Sequence, residues 1–510
     1  MSSNDVEVQA GASGSSFHYS SSPFGVVDIG SNTVRLVIYR RLVRNPLAIW
    51  NEKLTCALGR GLQETGRLNE TGKNLALRAL ARYASIARAM GITDLDLVAT
   101  AAVRDASDGE AFVAEIEALT GLRATILTGE QEARMAALGV LCALPDAEGM
   151  VADLGGGSVE LIMVGDGDCQ MPYTSLPLGL LRLTEAAGGD LARAQGILED
   201  SFDRLSWLRE TAGRPLYAVG GAWRSLARIC IHLKSYPLHV LDNFSLDRDE
   251  ALALLDRIVA MTPEEMRTVP GISDKRLPAM PFAAVALRAL LERAGSPRLV
   301  FSVYGLREGR FFSHLSPSIR GLDPLLASCE SLARTASRFP AQGHELMEWM
   351  TPLFGDETPP ERRLRLAACL LGDVFWSEHP DYRAEQAFQR VIKLPFMGLS
   401  HLDRALLALM LHYRYTNEAG DDWVTRAHAV VGERGVARAR AVGQALRLGF
   451  TISAGAVGLL RRASLDLQGD ELLLRLPGNE PAYLPELFSK RLGQLARTLQ
   501  KRGRLVFDPD

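Results

Sequence analysis

Apolar and polar positions follow the same pattern in two separated stretches of the chain. Residues 24–39 read FGVVDIGSNTVRLVIY and residues 149–164 read GMVADLGGGSVELIMV. Each has an apolar, β-prone run, a turn of Gly and small polar residues, and a second apolar run, which predicts strand, tight turn and strand. Aligning Asp28 with Asp153 also aligns Gly30 with Gly155, Val34 with Val159 and Leu36 with Leu161, at a constant offset of 125 residues. That spacing is expected of the halves of a duplicated domain.

Around the repeats, short apolar runs alternate with helical periodicity. DLVAT (96–100) precedes a helical segment, LRATIL (122–127) leads into GEQEARMAALGVLCAL, and PLYAVGGAWRSLARICIHL (215–233) reads as strand, Gly-Gly turn and helix. RLVFSVYGLREGRFF (298–312) repeats that order, so the fold class is α/β, with a core built in two halves over residues 24–144 and 145–317. From about residue 318 the pattern becomes amphipathic helix, as in ERRLRLAACLLGDVFW and LDRALLALMLHYRY, and predicts a separate all-α domain to residue 464. Residues 465–510, with the alternating LDLQGDELLLRL, a turn at Pro477-Gly478, a helix and RLVFD, predict a small α+β cap.

Composition narrows the class. A chain of 510 residues exceeds one hydrophobic core. Hydrophobic content of 47% and a net charge of -3 describe a globular protein without the basic excess of a module that binds duplex nucleic acid, so a polyanion needs a local basic site. The six cysteines are scattered without a C-x-x-C pair and read as reduced thiols of a cytoplasmic protein. Residues 1–23 are rich in Ser and Gly and read as a disordered tail. No apolar run of about 18 residues occurs, so no membrane span is expected.

The two turns carry the first candidate chemistry. Without a Cβ, glycine lets backbone N–H groups approach an anion closely, and such turns form anion-binding nests. Gly30, Ser31, Asn32 and Thr33 would face one phosphate, and Gly155, Gly156, Gly157 and Ser158 its neighbour. Thr128 and Gln131 form a capping box, which puts Glu132 in the first turn of a helix, where the dipole favours an ionised carboxylate. Spacing alone favours an ordinary acidic helix start for Glu132, while Asp28 and Asp153 could equally cap their own turns. Arg104 follows a strand and can clamp a phosphate or lie exposed on a helix. Arg35, in an otherwise apolar run, needs a ligand or a neighbouring carboxylate.

The segments DIGSNTVR (28–35), ATAAVRD (99–105), GEQEAR (129–134), DLGGGSVE (153–160), PLGLLRLTE (177–185), VGGA (219–222) and YGLREG (304–309) run in one order over about 290 residues. In that order they resemble the exopolyphosphatase and guanosine pentaphosphate phosphohydrolase (Ppx/GppA) family of the actin and sugar-kinase superfamily. The resemblance implies a duplicated actin-like (ribonuclease H-like) core, Mg²⁺-assisted removal of a terminal phosphate from inorganic polyphosphate or guanosine pentaphosphate, and a homodimer. It places the catalytic Glu on Glu132, with Glu130 as runner-up, adds Arg104 to the catalytic set, and makes Asp153, Glu160 and Asp28 the magnesium carboxylates. Gly220, Gly221 and Ala222 resemble the superfamily's nucleoside-side turn or simply pack helix on strand. The helical domain resembles an HD-type module, but LLGDVFW has Gly372 where the His of a His-Asp metal pair would stand. His344, His379, His401 and His412 are read as structural.

Overall fold

A computed structural model describes residues 22–418, 420, 422–478 and 485–508. The expected N-terminal tail lies outside them up to residue 21. The chain divides into two units, one ending at Gly321 and the other starting at Leu322.

In the first unit both repeats form hairpins of the same geometry. β1 (Phe24–Ile29) and β2 (Thr33–Tyr39) pair antiparallel with Asp28 opposite Arg35. β3 (Ala48–Thr55) continues this meander, while β4 (Asp94–Ala99) lies parallel to β1 and the two-residue β5 (Thr125–Ile126) parallel to β4. The first sheet therefore has the order β3-β2-β1-β4-β5. The second half repeats it with β6 (Gly149–Leu154) and β7 (Val159–Gly165), which put Asp153 opposite Glu160, then β8 (Asp168–Leu176) and the parallel β9 (Leu216–Val219). β10 (Phe244–Asp247) and β11 (Arg298–Phe301) complete the order β10-β11-β9-β6-β7-β8. β10 has no counterpart in the expected pattern, because four residues are too few to set up a visible alternation.

Both hairpins are buried along their length, with Val26, Val27, Ile29, Met150, Val151 and Ala152 at most 1% exposed. That burial fixes register, since a slip of one residue would turn every core side chain to the wrong face. It also fixes where each turn emerges, which is the end of its sheet that carries Asp28 or Asp153.

The second unit is helical, with the helices Pro324–Ala336, Pro359–Leu371, Arg383–Lys393 and His401–Tyr415 and a long one, Asp422–Ser453, interrupted at Gly432. LDLQGDELLLRL breaks at Gly469 into β12 (Ser464–Gln468) and β13 (Glu471–Pro477), and the helix Pro485–Thr498 leads to β14 (Arg502–Asp508), parallel to β13. Asp373 is buried and held by Arg338, whose Nη2 lies 2.5 Å from Oδ1 and whose backbone N–H donates to Oδ2 at 2.9 Å. An arginine thus takes the carboxylate that an HD pair would give to a metal. His401 and His412 are buried, and His344 and His379 exposed.

Candidate active site

The two glycine turns meet. In each, the first glycine N–H closes the turn onto a backbone carbonyl, Gly30 onto Thr33 at 2.9 Å and Gly155 onto Ser158 at 3.0 Å. A Cβ built on Gly156 would lie 3.3 Å from the Cβ atoms of Ser31 and Asn32, and one on Gly157 would lie 2.5 Å from Ser31 Oγ and 3.1 Å from Ala101 Cβ. A side chain at either glycine would crowd the opposite turn, and both turns open into one cleft of about 420 Å³.

All eight turn residues line this cleft, as do Asp28, Glu132, Asp153 and Glu160. Glu132 stands in the first turn of the helix Gly129–Ala143, whose N-terminus has the expected capping box: Gln131 N–H donates to Thr128 Oγ1 at 3.2 Å, and Thr128 N–H to Gln131 Oε1 at 3.0 Å. Glu132 is buried, whereas Glu130 is exposed and hydrogen-bonded to Tyr173 outside the cleft. Arg104 differs from its expected place. Its guanidinium is turned onto the Glu132 carboxylate, with a second bond to Leu127 O at 3.1 Å, and it does not line the cleft as a phosphate clamp would. A carboxylate that buried draws the nearest guanidinium to itself.

The acidic floor is crowded and buried. Burial pushes Glu132 up to about 7 against the hydrogen bond and charge of Arg104, with Asp153 and Asp28 adding to the rise. Burial likewise raises Asp153 to about 6, opposed by Arg224, and raises Glu160 well above the usual range, helped by the charge of Glu132. Ser175 Oγ donates to Glu160 Oε1 at 2.9 Å. Asp28, also raised by burial, is paired with Arg307 at 3.1 Å.

The same cleft is lined by a group of cations that sequence reasoning missed: Lys53, Arg60, Arg224, Lys275, Arg276 and Arg307. Burial, then repulsion from Arg276, Arg35 and Arg224, lowers Lys53 to about 8, and burial with repulsion from Arg307 lowers Arg224 to about 10. Arg35 lines the cleft too, its Nε donating to Asn51 Oδ1 at 2.8 Å. Arg307 lies within YGLREG and Arg224 just beyond VGGA, so those segments held a signal, while Lys53, Arg60, Lys275 and Arg276 stand in segments with none. Gly220 lines the cleft, and a Cβ there would meet Leu154 O at 2.5 Å, so packing alone accounts for the glycine.

Among the described residues no three His, Cys, Asp or Glu side chains form a metal cage. The donor set instead suits an ion that keeps its waters and takes one or two carboxylates with phosphate oxygens, as magnesium does.

The profile of the Ppx/GppA phosphatase family matches residues 37–317, more than half of the chain, and that of the exopolyphosphatase C-terminal region matches residues 325–506. The chain belongs to the Ppx/GppA phosphatase family. This Ppx/GppA member is 28% identical over 309 residues to Exopolyphosphatase 1 of Mycobacterium bovis, covering 58% of this chain and 89% of that protein. It is 25% identical over 439 residues to Retrograde regulation protein 2 of Saccharomyces cerevisiae, covering 77% of this chain and 72% of that one. Among solved structures, the Ppx/GppA family member of Aquifex aeolicus superposes with a TM-score of 0.50 at 26% identity, over 57% of this chain and 97% of that one. An exopolyphosphatase of Cytophaga hutchinsonii, at 23% identity and a TM-score of 0.51 over 59% and 99%, shares the fold. The Ppx/GppA core is thus the expected duplicated actin-like fold, followed by a helical region and a small sheet. No described helix is long and apolar enough to cross a membrane.

Proposed function

We propose that this Ppx/GppA member is a cytoplasmic exopolyphosphatase that releases orthophosphate from the end of inorganic polyphosphate. The observation that carries this reading is the crowding of Lys53, Arg224, Arg276 and Arg307 beside two facing anion cradles, a concentration of positive charge that a polyanion relieves. Hydrolysis of a phosphoanhydride calls mainly for positioning and charge neutralisation. The backbone N–H groups of Gly30 to Thr33 and Gly155 to Ser158 hold neighbouring phosphates. Glu132 orients a water and accepts its proton as the oxygen attacks the terminal phosphorus, and the bridging P–O bond breaks with its electron pair leaving on the shortened chain. Arg104 keeps Glu132 aimed. Asp153 and Glu160, with Asp28 through a water, would hold a magnesium ion, which when bound would supply charge neutralisation on the phosphate oxygens. A Glu132 carboxylate near 7 is suited to a base working at neutral pH.

Guanosine pentaphosphate is the second reading, because Gly220, Gly221 and Ala222, the turn that resembles the superfamily's nucleoside side, line the same cleft. Against it, no aromatic ring on which a base could stack occurs among the described lining residues. A third reading, a non-catalytic sensor, is favoured only by the likeness to the yeast regulation protein. Phosphate release from long-chain polyphosphate and from guanosine pentaphosphate, each with Mg²⁺ and with a chelator, separates the three. Polyphosphate turnover that stops with the chelator is expected, preferential turnover of the nucleotide selects the second reading, and no turnover of either selects the third.

A further inference from the structure

Four charged side chains form an unbroken series leading out of the cleft. Glu132 is paired with Arg104, Arg104 Nε donates to Asp105 Oδ1 at 3.3 Å, and the other oxygen of Asp105 accepts from Arg182 Nη2 at 2.7 Å. The first three residues belong to the first half of the core, Arg104 and Asp105 closing the short helix Ala101–Asp105. Arg182 belongs to the second half, on the helix Leu180–Ala187. That helix is tied to the second cradle, because Leu180 N–H donates to Gly155 O at 3.0 Å and Leu181 N–H to Gly156 O at 2.9 Å. One turn further along it, Glu185 Oε1 accepts from Gly61 N–H of the first half at 3.3 Å. The series therefore starts at the base and ends on the element that holds the opposite cradle.

Asp105 spends one oxygen on each arginine, so the direction of the Arg104 guanidinium depends on where Arg182 stands. The Arg182 side chain is only 8% exposed, and a guanidinium that buried needs its carboxylate. Neither Asp105 nor Arg182 lines the cleft.

We propose that Asp105 and Arg182 form a clasp between the two halves of the core that positions Arg104 and, through it, Glu132. The proposal rests on the reading of Glu132 as the base. The base is then aimed only while the halves are held together, which a ligand reaching both cradles favours and a lone phosphate does not. A plain stabilising ion pair would lower the unfolding temperature and leave the chemistry of folded protein unchanged, whereas a positioning pair lowers turnover at constant affinity.

The test is steady-state phosphate release by full-length wild type, Asp105→Asn, Arg182→Met, Arg182→Lys, Glu132→Gln and the Asp105→Asn/Glu132→Gln double variant. Asp105→Asn and Arg182→Met are expected to lower kcat by about 10- to 100-fold, the usual effect of losing an outer-shell orienting group, with KM within about twofold. Arg182→Lys should recover part of the loss. In the Glu132→Gln background Asp105→Asn should cost nothing more, because residues that act as a unit are not additive. The same fractional loss in both backgrounds, a change in KM alone, or full kcat from Arg182→Met overturns the clasp. If Asp105→Asn fails to fold, Arg182→Met takes its place in the cycle. Wild-type protein that releases no phosphate overturns instead the reading of the site, and the clasp's catalytic role with it.

Discussion

Gly157→Ala tests the meeting of the two cradles. The added methyl would lie 2.5 Å from Ser31 Oγ, 3.1 Å from Ala101 Cβ and 3.3 Å from Ser31 Cβ. The hydroxyl can swing aside, but the two carbons cannot, and carbon atoms rest at about 3.5–4.0 Å. The turns must therefore part by roughly half an ångström, and overpacking of this kind costs about 1–3 kcal/mol. Where that strain falls on the geometry that grips neighbouring phosphates, kcat/KM drops by about 5- to 150-fold, at 1.36 kcal/mol per decade. Where it falls on the folded state, the unfolding midpoint drops by about 2–4 °C per kcal/mol. The assay is initial-rate phosphate release from polyphosphate alongside a thermal scan. Gly155→Ala is the control, because its methyl would meet only Ser158 O of its own turn, at 3.2 Å. Adding Ser31→Ala to Gly157→Ala removes only the movable hydroxyl, keeps both carbon contacts, and should leave the thermal loss largely in place. Wild-type kcat/KM together with a wild-type unfolding midpoint from Gly157→Ala would refute the paired cradle.

Glu132→Gln should lower kcat by about 10²–10⁴ with substrate binding retained; near-normal turnover would refute its role as base. Lys53 is charged below a pH of about 8 and neutral above it, so kcat/KM for a polyanion should fall as pH rises through 8. Lys53→Arg, charged throughout, should remove that alkaline limb, and an unchanged limb in the variant would show that another group causes it. Asp373→Asn should destabilise the second unit by about 1–3 kcal/mol through loss of the bond to Arg338, measured as a fall in unfolding midpoint. Phosphate release by the folded variant should be unchanged, and its loss would give Asp373 a role beyond structure.

Sequence reading reached furthest where structure is carried by local backbone. DIGSNT and DLGGGS each contain their whole turn, because strand, turn and strand are set by neighbouring residues, and the constant offset announced the second copy. The capping box ahead of Glu132 was equally legible, since Thr128 and Gln131 act within one helical turn. Gly372 in place of His was visible in LLGDVFW, although Arg338 as the partner of Asp373, 35 residues away, was not.

Other features belong to the tertiary structure alone. Arg104 pairs with Glu132, 28 residues on, and does not itself line the cleft, because the buried carboxylate is its favourable partner. Lys53 on β3, Arg224 after β9, Arg276 ahead of a helix and Arg307 after β11 share no spacing or motif, and become one electrostatic group only where the chain folds them around one cleft. A backbone cradle is written in consecutive residues because its hydrogen bonds are local. Charge acts through space and strengthens as water is excluded, so the partners of these ionised side chains were decided by folding.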